Sequence, residues 1–169
     1  GVLAPVLGAI ADRGSAKKKF LIFFAFFGAV MTVALCLVRQ GNWQAAAALY
    51  VLSVIGFSGS LIFYDALLPG IASEKKIDYA SILGYALGYL GGGLLFAFTI
   101  WMSAQPELFG LGSGDAAKAA AIKISFILTG LWWGLFTIPL MLFVPEPENF
   151  AAEKSSAPIR DGLRQLKRT

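Results

Sequence analysis

Histidine is absent from this 169-residue chain, and cysteine occurs once, as Cys36. Without histidine, the commonest general acid–base and its metal-binding nitrogens are missing together. A single cysteine forms no intrachain disulfide and, inside an apolar run, reveals nothing about redox compartment. Charge is scarce as well. Lys, Arg, Asp and Glu make up 14% of the residues, against about a quarter in a typical soluble domain. No glycine loop followed by Lys and Ser or Thr is present to cradle a phosphate. These absences argue against an enzyme, and no metal and no cofactor are expected.

Apolar residues fill the chain instead. The hydrophobic share is 57% and the mean hydropathy +0.72. A run of about 18 or more apolar residues is long enough to cross a bilayer, and four such runs follow one another. The expected fold class is an all-α, polytopic membrane protein. Its first polar break, Asp12-Arg13-Gly14-Ser15-Ala16-Lys17-Lys18-Lys19, separates the uncharged runs Gly1–Ala11 and Phe20–Val38. An ionised side chain within hydrocarbon costs several kcal/mol, so this break marks a membrane surface. Repeating the argument places spans at about 1–11, 20–38, 43–68, 79–103 and 124–144. Together they form a helical bundle over 1–144, followed by a cytoplasmic segment over 145–169. The first run is half a span and the first residue is Gly, so the N-terminus reads as truncated. The Lys17-Lys18-Lys19 cluster ahead of an apolar run imitates a secretory signal, but the run is internal and longer than such cores.

Eleven of the fourteen Lys and Arg residues lie in the first, third and fifth polar breaks. Cytoplasmic loops carry the positive excess, which puts those breaks and the C-terminal tail on the cytoplasmic side. Trp43 and Trp101 then fall at the outer interface, where aromatic belts form. The formal charge of +4 is spread between apolar spans, so it reads as orientation in a membrane and not as a nucleic-acid surface. In the tail, Ile159, Leu163 and Leu166 recur at i, i+4 and i+7 with basic residues between them. This suits an amphipathic helix on an anionic leaflet, although Gly162 weakens it. A solvated linker with accidental periodicity is the alternative.

Three stretches carry a resemblance. Gly8-x-x-x-Asp12-Arg13, followed by Gly14 and the basic cluster Lys17-Lys18-Lys19, resembles the loop between the second and third helices of the major facilitator superfamily. Gly14 follows Arg13 at once, and Ser15-Ala16 intervene before Lys17, which departs from the usual spacing. The run from Gly84 to Gly93 resembles the glycine-rich fifth helix of superfamily exporters, with Tyr89 where those have Pro. With Phe63-Tyr64-Asp65-Ala66-Leu67-Leu68-Pro69, the chain is similar to the vacuole effluxer group, the autophagy-related branch with bacterial members. The resemblance covers nearly the whole chain. It implies a partial six-helix half of a major-facilitator fold, from the end of helix 2 through helix 6, plus the start of the central loop. It also implies a secondary transporter of small solutes, amino acids among them, working by alternating access. The implied partners are the lipid bilayer, a small-molecule solute and the remaining half of the transporter, with a bacterial inner membrane as the location. By the same resemblance Gly8, Asp12, Arg13, Lys17 and Lys18 form a conformational-switch loop. The competing reading is a small four-span structural or assembly protein acting as an oligomer.

Several residues have a physical reading of their own. Gly84, Gly88, Gly91 and Gly92 make a smooth stripe whose spacing lets helix backbones touch in lipid; static packing and a sliding surface both fit it. Gly28, alone in a Phe-rich run, looks lipid-facing. Asp65 is the acidic residue inside the spans, and an intramembrane carboxylate is a functional candidate by default; an interfacial residue pairing with Lys75 or Lys76 is the alternative. Tyr85, Tyr89 and Trp132 are candidates for solute contact or coupling beside Asp65. Trp132 and Trp133 sit mid-span, away from the interface that Trp prefers, so one of them is expected to face the bundle interior. Gly56-Phe57-Ser58-Gly59 spells the G-x-S-G of intramembrane serine proteases, but no histidine is present to activate the serine.

Overall fold

Residues 17–71 and 74–145 are described by the structure, a computed structural model. Four long helices follow one another: α1 (Lys17–Ala34), α2 (Trp43–Ile71), α3 (Glu74–Ala104) and α4 (Asp115–Phe143). All four are long and apolar enough to cross a membrane. The chain is therefore an all-α polytopic membrane fragment, as the apolar runs imply. Leu35–Leu37 closes α1 as a 3-10 turn, and Pro106–Phe109 forms a second one between α3 and α4. Gly41 and Gly114 take φ of +88° and +84° at the entries to α2 and α4, where a side chain would be strained. Asn42 caps α2 by accepting from the Ala45 N–H through Oδ1 at 3.4 Å.

The helices are longer than the apolar runs that predict them. α2 continues through Pro69 and Gly70 to Ile71, and α3 begins at Glu74 where a polar break was expected. The largest difference is at α4, which starts at Asp115 and not near Ile124. Ala and Lys from Ala116 to Lys123 are strong helix formers, and Asp115 in the first turn complements the helix dipole. At 1.5 Å per residue, 29 residues reach about 43 Å, beyond the hydrocarbon thickness of about 30 Å. Membrane thickness limits the apolar stretch. It does not limit the helix.

Packing between α1 and α2 runs antiparallel along their whole length. Thr32 meets Ser53, Phe20 and Phe24 stack on Phe63, and Lys17 reaches Ala66. Midway, the two backbones touch: a Cβ added at Gly56 would lie 2.5 Å from the Gly28 Cα. Gly28 is enclosed from the other side by the Trp133 ring of α4. Gly130 sits equally close, since a Cβ there would meet the Val33 side chain and stand 2.7 Å from the Ala29 carbonyl. The lipid-facing expectation for Gly28 is thus reversed. Its neighbours in sequence are phenylalanines, but its own face is where three helices converge. Gly56 and Gly59, half of the protease-like tetrapeptide, are buried helix contacts against α1.

Polar side chains in this bundle satisfy themselves locally. The Thr32 hydroxyl hydrogen-bonds the Gly28 carbonyl at 2.8 Å and Ser53 Oγ on α2 at 2.7 Å. Ser103, Ser125, Thr129 and Thr137 each donate to a carbonyl one turn back, so none presents a bare hydroxyl to hydrocarbon. Phe63 and Leu67, with 0% and 2% exposure, form the tightest apolar cluster with Leu21 near the Lys17 end.

Helix α3 stands apart. Only 6% of its membrane window is buried, against 33% for α1, and its main support is α4. Among the described residues, the stripe makes close contact along only part of its length. A Cβ at Gly88 or Gly92 would meet nothing among the described residues within 4 Å, and one at Gly91 only the Trp132 ring at 3.9 Å. Gly84 does pack closely, with its added Cβ 2.6 Å from the Tyr64 hydroxyl. Small size allows close approach but does not require it, and among the described residues the close packing is that of α1 against α2 and against α4. Gly56→Ile is expected to lower stability by at least about 1–3 kcal/mol, because its neighbours are backbone atoms that cannot swing away. Gly88→Ile should stay within about 0.5 kcal/mol of the parent. Thermal unfolding in detergent distinguishes the two, and equal losses would contradict this packing.

Candidate functional site

Two concavities open between the helices, and their chemistry differs. One, of about 980 Å3, lies among α1, α3 and α4 and includes Phe26, Val33, Leu95, Phe98 and Leu135. Among the described residues no hydroxyl-bearing or charged side chain lines it, so it suits lipid or another apolar helix. The second, of about 640 Å3, is walled by α2, α3 and α4, with Leu21 and Ala25 of α1 as its floor. Hydroxyls enter it from Ser60, Tyr64, Tyr85, Tyr89 and Thr137. This cleft is the candidate site.

Local helix geometry explains who reaches it. On α2, Phe57, Ser60, Leu61 and Tyr64 recur at three- and four-residue spacing and share one face. On α3, Tyr85 and Tyr89 are separated by four residues, as are Gly84 and Gly88. Gly84 lets the Tyr64 hydroxyl lie against α3, and Gly88 leaves the cleft wall unfilled. From α4, Trp133 enters, held edge-on to Phe57 at a centroid distance of 6.1 Å. Successive helical side chains diverge by about 100°. Trp132 therefore turns away to line the apolar groove, tilted over Phe136 at 4.8 Å. Of the two tryptophans, the cleft takes Trp133 and not the Trp132 named from sequence.

Asp65 is exposed and stands one turn beyond Leu61 on the same face of α2. Its carboxylate lies within electrostatic range of the Tyr85 side chain on α3, with Tyr64 and Tyr89 also near Tyr85. Three of the named residues, Asp65, Tyr85 and Tyr89, thus come together. Lys17, from the basic cluster, donates to the Ala66 carbonyl at 3.4 Å, placing a cation at the C-terminal end of α2, where the dipole is negative. Lys18 stands beside it, half-buried, in the first turn of α1. Gly8, Asp12, Arg13 and the amphipathic tail lie outside the described residues. Among the described residues no group of His, Cys, Asp and Glu could hold a metal.

Sequence reasoning missed Ser60 and Thr137 as cleft residues and, of the two tryptophans it considered, chose Trp132 over Trp133. The three- and four-residue recurrence around Tyr64 is the signal that could have found Ser60. Thr137 carries none, since its hydroxyl is bonded to the Trp133 carbonyl at 2.9 Å.

A bundle of apolar helices around a hydroxyl-lined cleft defines the chain as part of a polytopic membrane protein. It belongs to the family of vacuole effluxer Atg22-like proteins, which it matches over residues 1–169. It is 39% identical over 145 residues to the uncharacterized MFS-type transporter YxiO of Bacillus subtilis, covering 85% of this chain and 33% of that protein. Autophagy-related protein 22 of Eremothecium gossypii is 24% identical over 139 residues, 74% of this chain and 25% of that protein. A protein of Aquifex aeolicus is 29% identical over 107 residues, 63% of this chain and 27% of that one. The chain thus spans about a third or less of the length of these relatives. No solved structure matches it significantly.

Cleft position sets the cost of substitution. Trp133→Ala should destabilise by about 3 kcal/mol, since it empties the space between Gly28 and Phe57. Tyr89→Ala, at 80% exposure, should stay within about 0.5 kcal/mol. Denaturant titration in mixed micelles measures both, and a Tyr89 loss as large as that at Trp133 would place α3 differently.

Proposed function

We propose that the chain is most of the first half of a secondary-active transporter that moves small solutes, amino acids by class, through alternating access. The observation that carries this reading is the half-open cleft. Hydroxyl-bearing side chains of α2, α3 and α4 line it over a floor from α1, and beside it α3 is lightly covered among the described residues. A solute held there would be exposed until a second body closed over it. That arrangement is what rocking of two halves around a central site requires. Family membership and a bacterial relative bearing an MFS-type transporter name support the reading. In it, Gly88 and Gly92 form the face of α3 that meets the other half. Asp65, Tyr85 and Tyr89 contact the solute or couple its movement. Gly8, Asp12, Arg13, Lys17 and Lys18 bias the equilibrium between conformations. Transport by this route involves no catalysis and no cofactor.

Orientation belongs to the same proposal. The basic ends lie in the cytoplasm and the Leu37–Trp43 and Gln105–Gly114 connections outside, in a bacterial inner membrane. The 39% identity to a Bacillus protein against 24% to a fungal one favours the bacterial setting. In a Cys36→Ala background, Ser15→Cys and Ser113→Cys should be labelled from opposite sides by an impermeant maleimide. Labelling of both from outside would refute the orientation. The transport reading is tested on the full-length protein in proteoliposomes, by counterflow of each labelled amino acid. Accumulation of at least one is expected, whereas its absence for all, in protein shown to be folded, would leave the oligomeric structural reading.

A further inference from the structure

The cleft has a closed end. On α1, Leu21 and Ala25 form its floor, whereas Gly28, the next residue on that face at helical spacing, does not line it. The Trp133 ring lies over Gly28 instead. The three atoms nearest to a Cβ added at Gly28 all belong to that indole, with Cζ3 at 2.7 Å and Cζ2 at 3.2 Å behind Cη2. On α4 the cleft runs from Trp133 through Thr137 to Leu140, and on α2 from Phe57 through Ser60 to Tyr64. Both runs head toward the Lys17 end, since Lys17 meets Ala66 and Leu140 packs on the Leu21 cluster. Trp133 and Phe57 therefore stand together at the far end, edge-on at 6.1 Å. Among the described residues, nothing on α1, α2 or α4 lines the cleft beyond them.

A missing side chain fixes where this wall stands. Behind the ring are the Gly28 backbone and, against it, that of Gly56, whose added Cβ would lie 2.5 Å from the Gly28 Cα. The ring has no room to retreat that way, Phe57 flanks it, and the cleft is the space it faces. An atom added at position 28 thus drives the indole toward the cleft, and tight interiors respond to even one methylene. A shorter ring at position 133 has the opposite effect. It uncovers the α1 floor from Ala25 to Gly28, deepening the cleft by about 4.5 Å at 1.5 Å per residue.

We infer that Trp133, seated on Gly28, is the end wall of the cleft and sets the length of the solute side group that the cleft accepts. This rests on the transport reading and adds to it the contact that decides specificity.

Ser60 lines the cleft one turn short of the wall, so Ser60→Cys, in a background otherwise free of cysteine, reports the space between. The probes are methyl and benzyl methanethiosulfonate, and the readout is the ratio of their modification rates on the purified full-length protein. Gly28→Ala should lower the benzyl-to-methyl ratio by about tenfold, the lower end of what one methylene is worth in an apolar pocket, and Trp133→Phe should raise it. Adding Trp133→Phe to Gly28→Ala should bring the ratio back to within about threefold of the parent, because residues in contact are not additive and a phenyl ring stops short of the indole atoms over Gly28. A merely structural contact would shift the thermal midpoint and leave the ratio alone. Should Gly28→Ala fail to fold by itself, recovery of a folded protein on adding Trp133→Phe is the expected result, and failure of both overturns the inference. It is also overturned if neither single variant changes the ratio by more than about twofold, or if the double variant falls as far as Gly28→Ala. Counterflow of alanine, leucine and phenylalanine by the same proteins in proteoliposomes keeps the two readings apart. Gly28→Ala should favour alanine relative to the parent, and Trp133→Phe should favour phenylalanine. Altered labelling ratios with an unchanged preference among the three remove the wall's role in selection and leave the transporter standing. Absence of counterflow by the parent, with the ratios changing as expected, removes the transporter and leaves the end wall.

Discussion

Close approach of the α1 and α2 backbones at Gly28 and Gly56 is the constraint on which the rest of the bundle depends. In lipid there is no hydrophobic gain from moving an apolar side chain out of hydrocarbon and into a helix interface. Association rests on contact area and on the few polar bonds that cross between helices. Two glycines facing one another bring the backbones together, and the Thr32–Ser53 hydrogen bond fixes the register one turn away. The space left above Gly28 is then filled by one aromatic ring, that of Trp133, which anchors α4 to the pair.

From that anchoring the cleft follows. With Trp133 turned inward against Gly28 and Phe57, the opposite rotation of Trp132 is fixed, and α4 presents Thr137 on the cleft side and Leu135 on the apolar side. Helix α3 is added mainly through α4 and through the Tyr64–Gly84 contact near its start. The result is α1 packed between α2 and α4, with α3 leaning on them mainly through α4. A surface that must close and open against another body is better built from the lightly packed helix than from those that pack closely. In the transport reading the division of labour between α3 and the other three has that physical basis.

The basic cluster contributes at the other end of the same argument. Lys17 donating to the Ala66 carbonyl ties the start of α1 to the end of α2, next to Asp65 in sequence. The membrane-surface cations and the cleft rim therefore share one turn of α2. A change in the position of that turn moves both.

Several features were legible without a fold. The four spans, their order and their alternation come from the cost of placing charge in hydrocarbon, which is a property of each segment alone. The glycine-rich and Asp65 stretches pointed to the family for the same reason, since they are local patterns. The rotation of each helix about its axis was not legible. In water an amphipathic stripe tells which face is buried, but lipid and protein interior are equally apolar, so the phenylalanines around Gly28 look no different from those facing lipid. Hence the glycines that pack, the tryptophan that enters the cleft and the nearness of Asp65 to Tyr85 became visible only when the helices met. The sequence by itself determined where the chain crosses the membrane, because hydrocarbon judges each segment separately; only the tertiary structure decided which faces of those crossings touch, because in lipid that choice depends on shape.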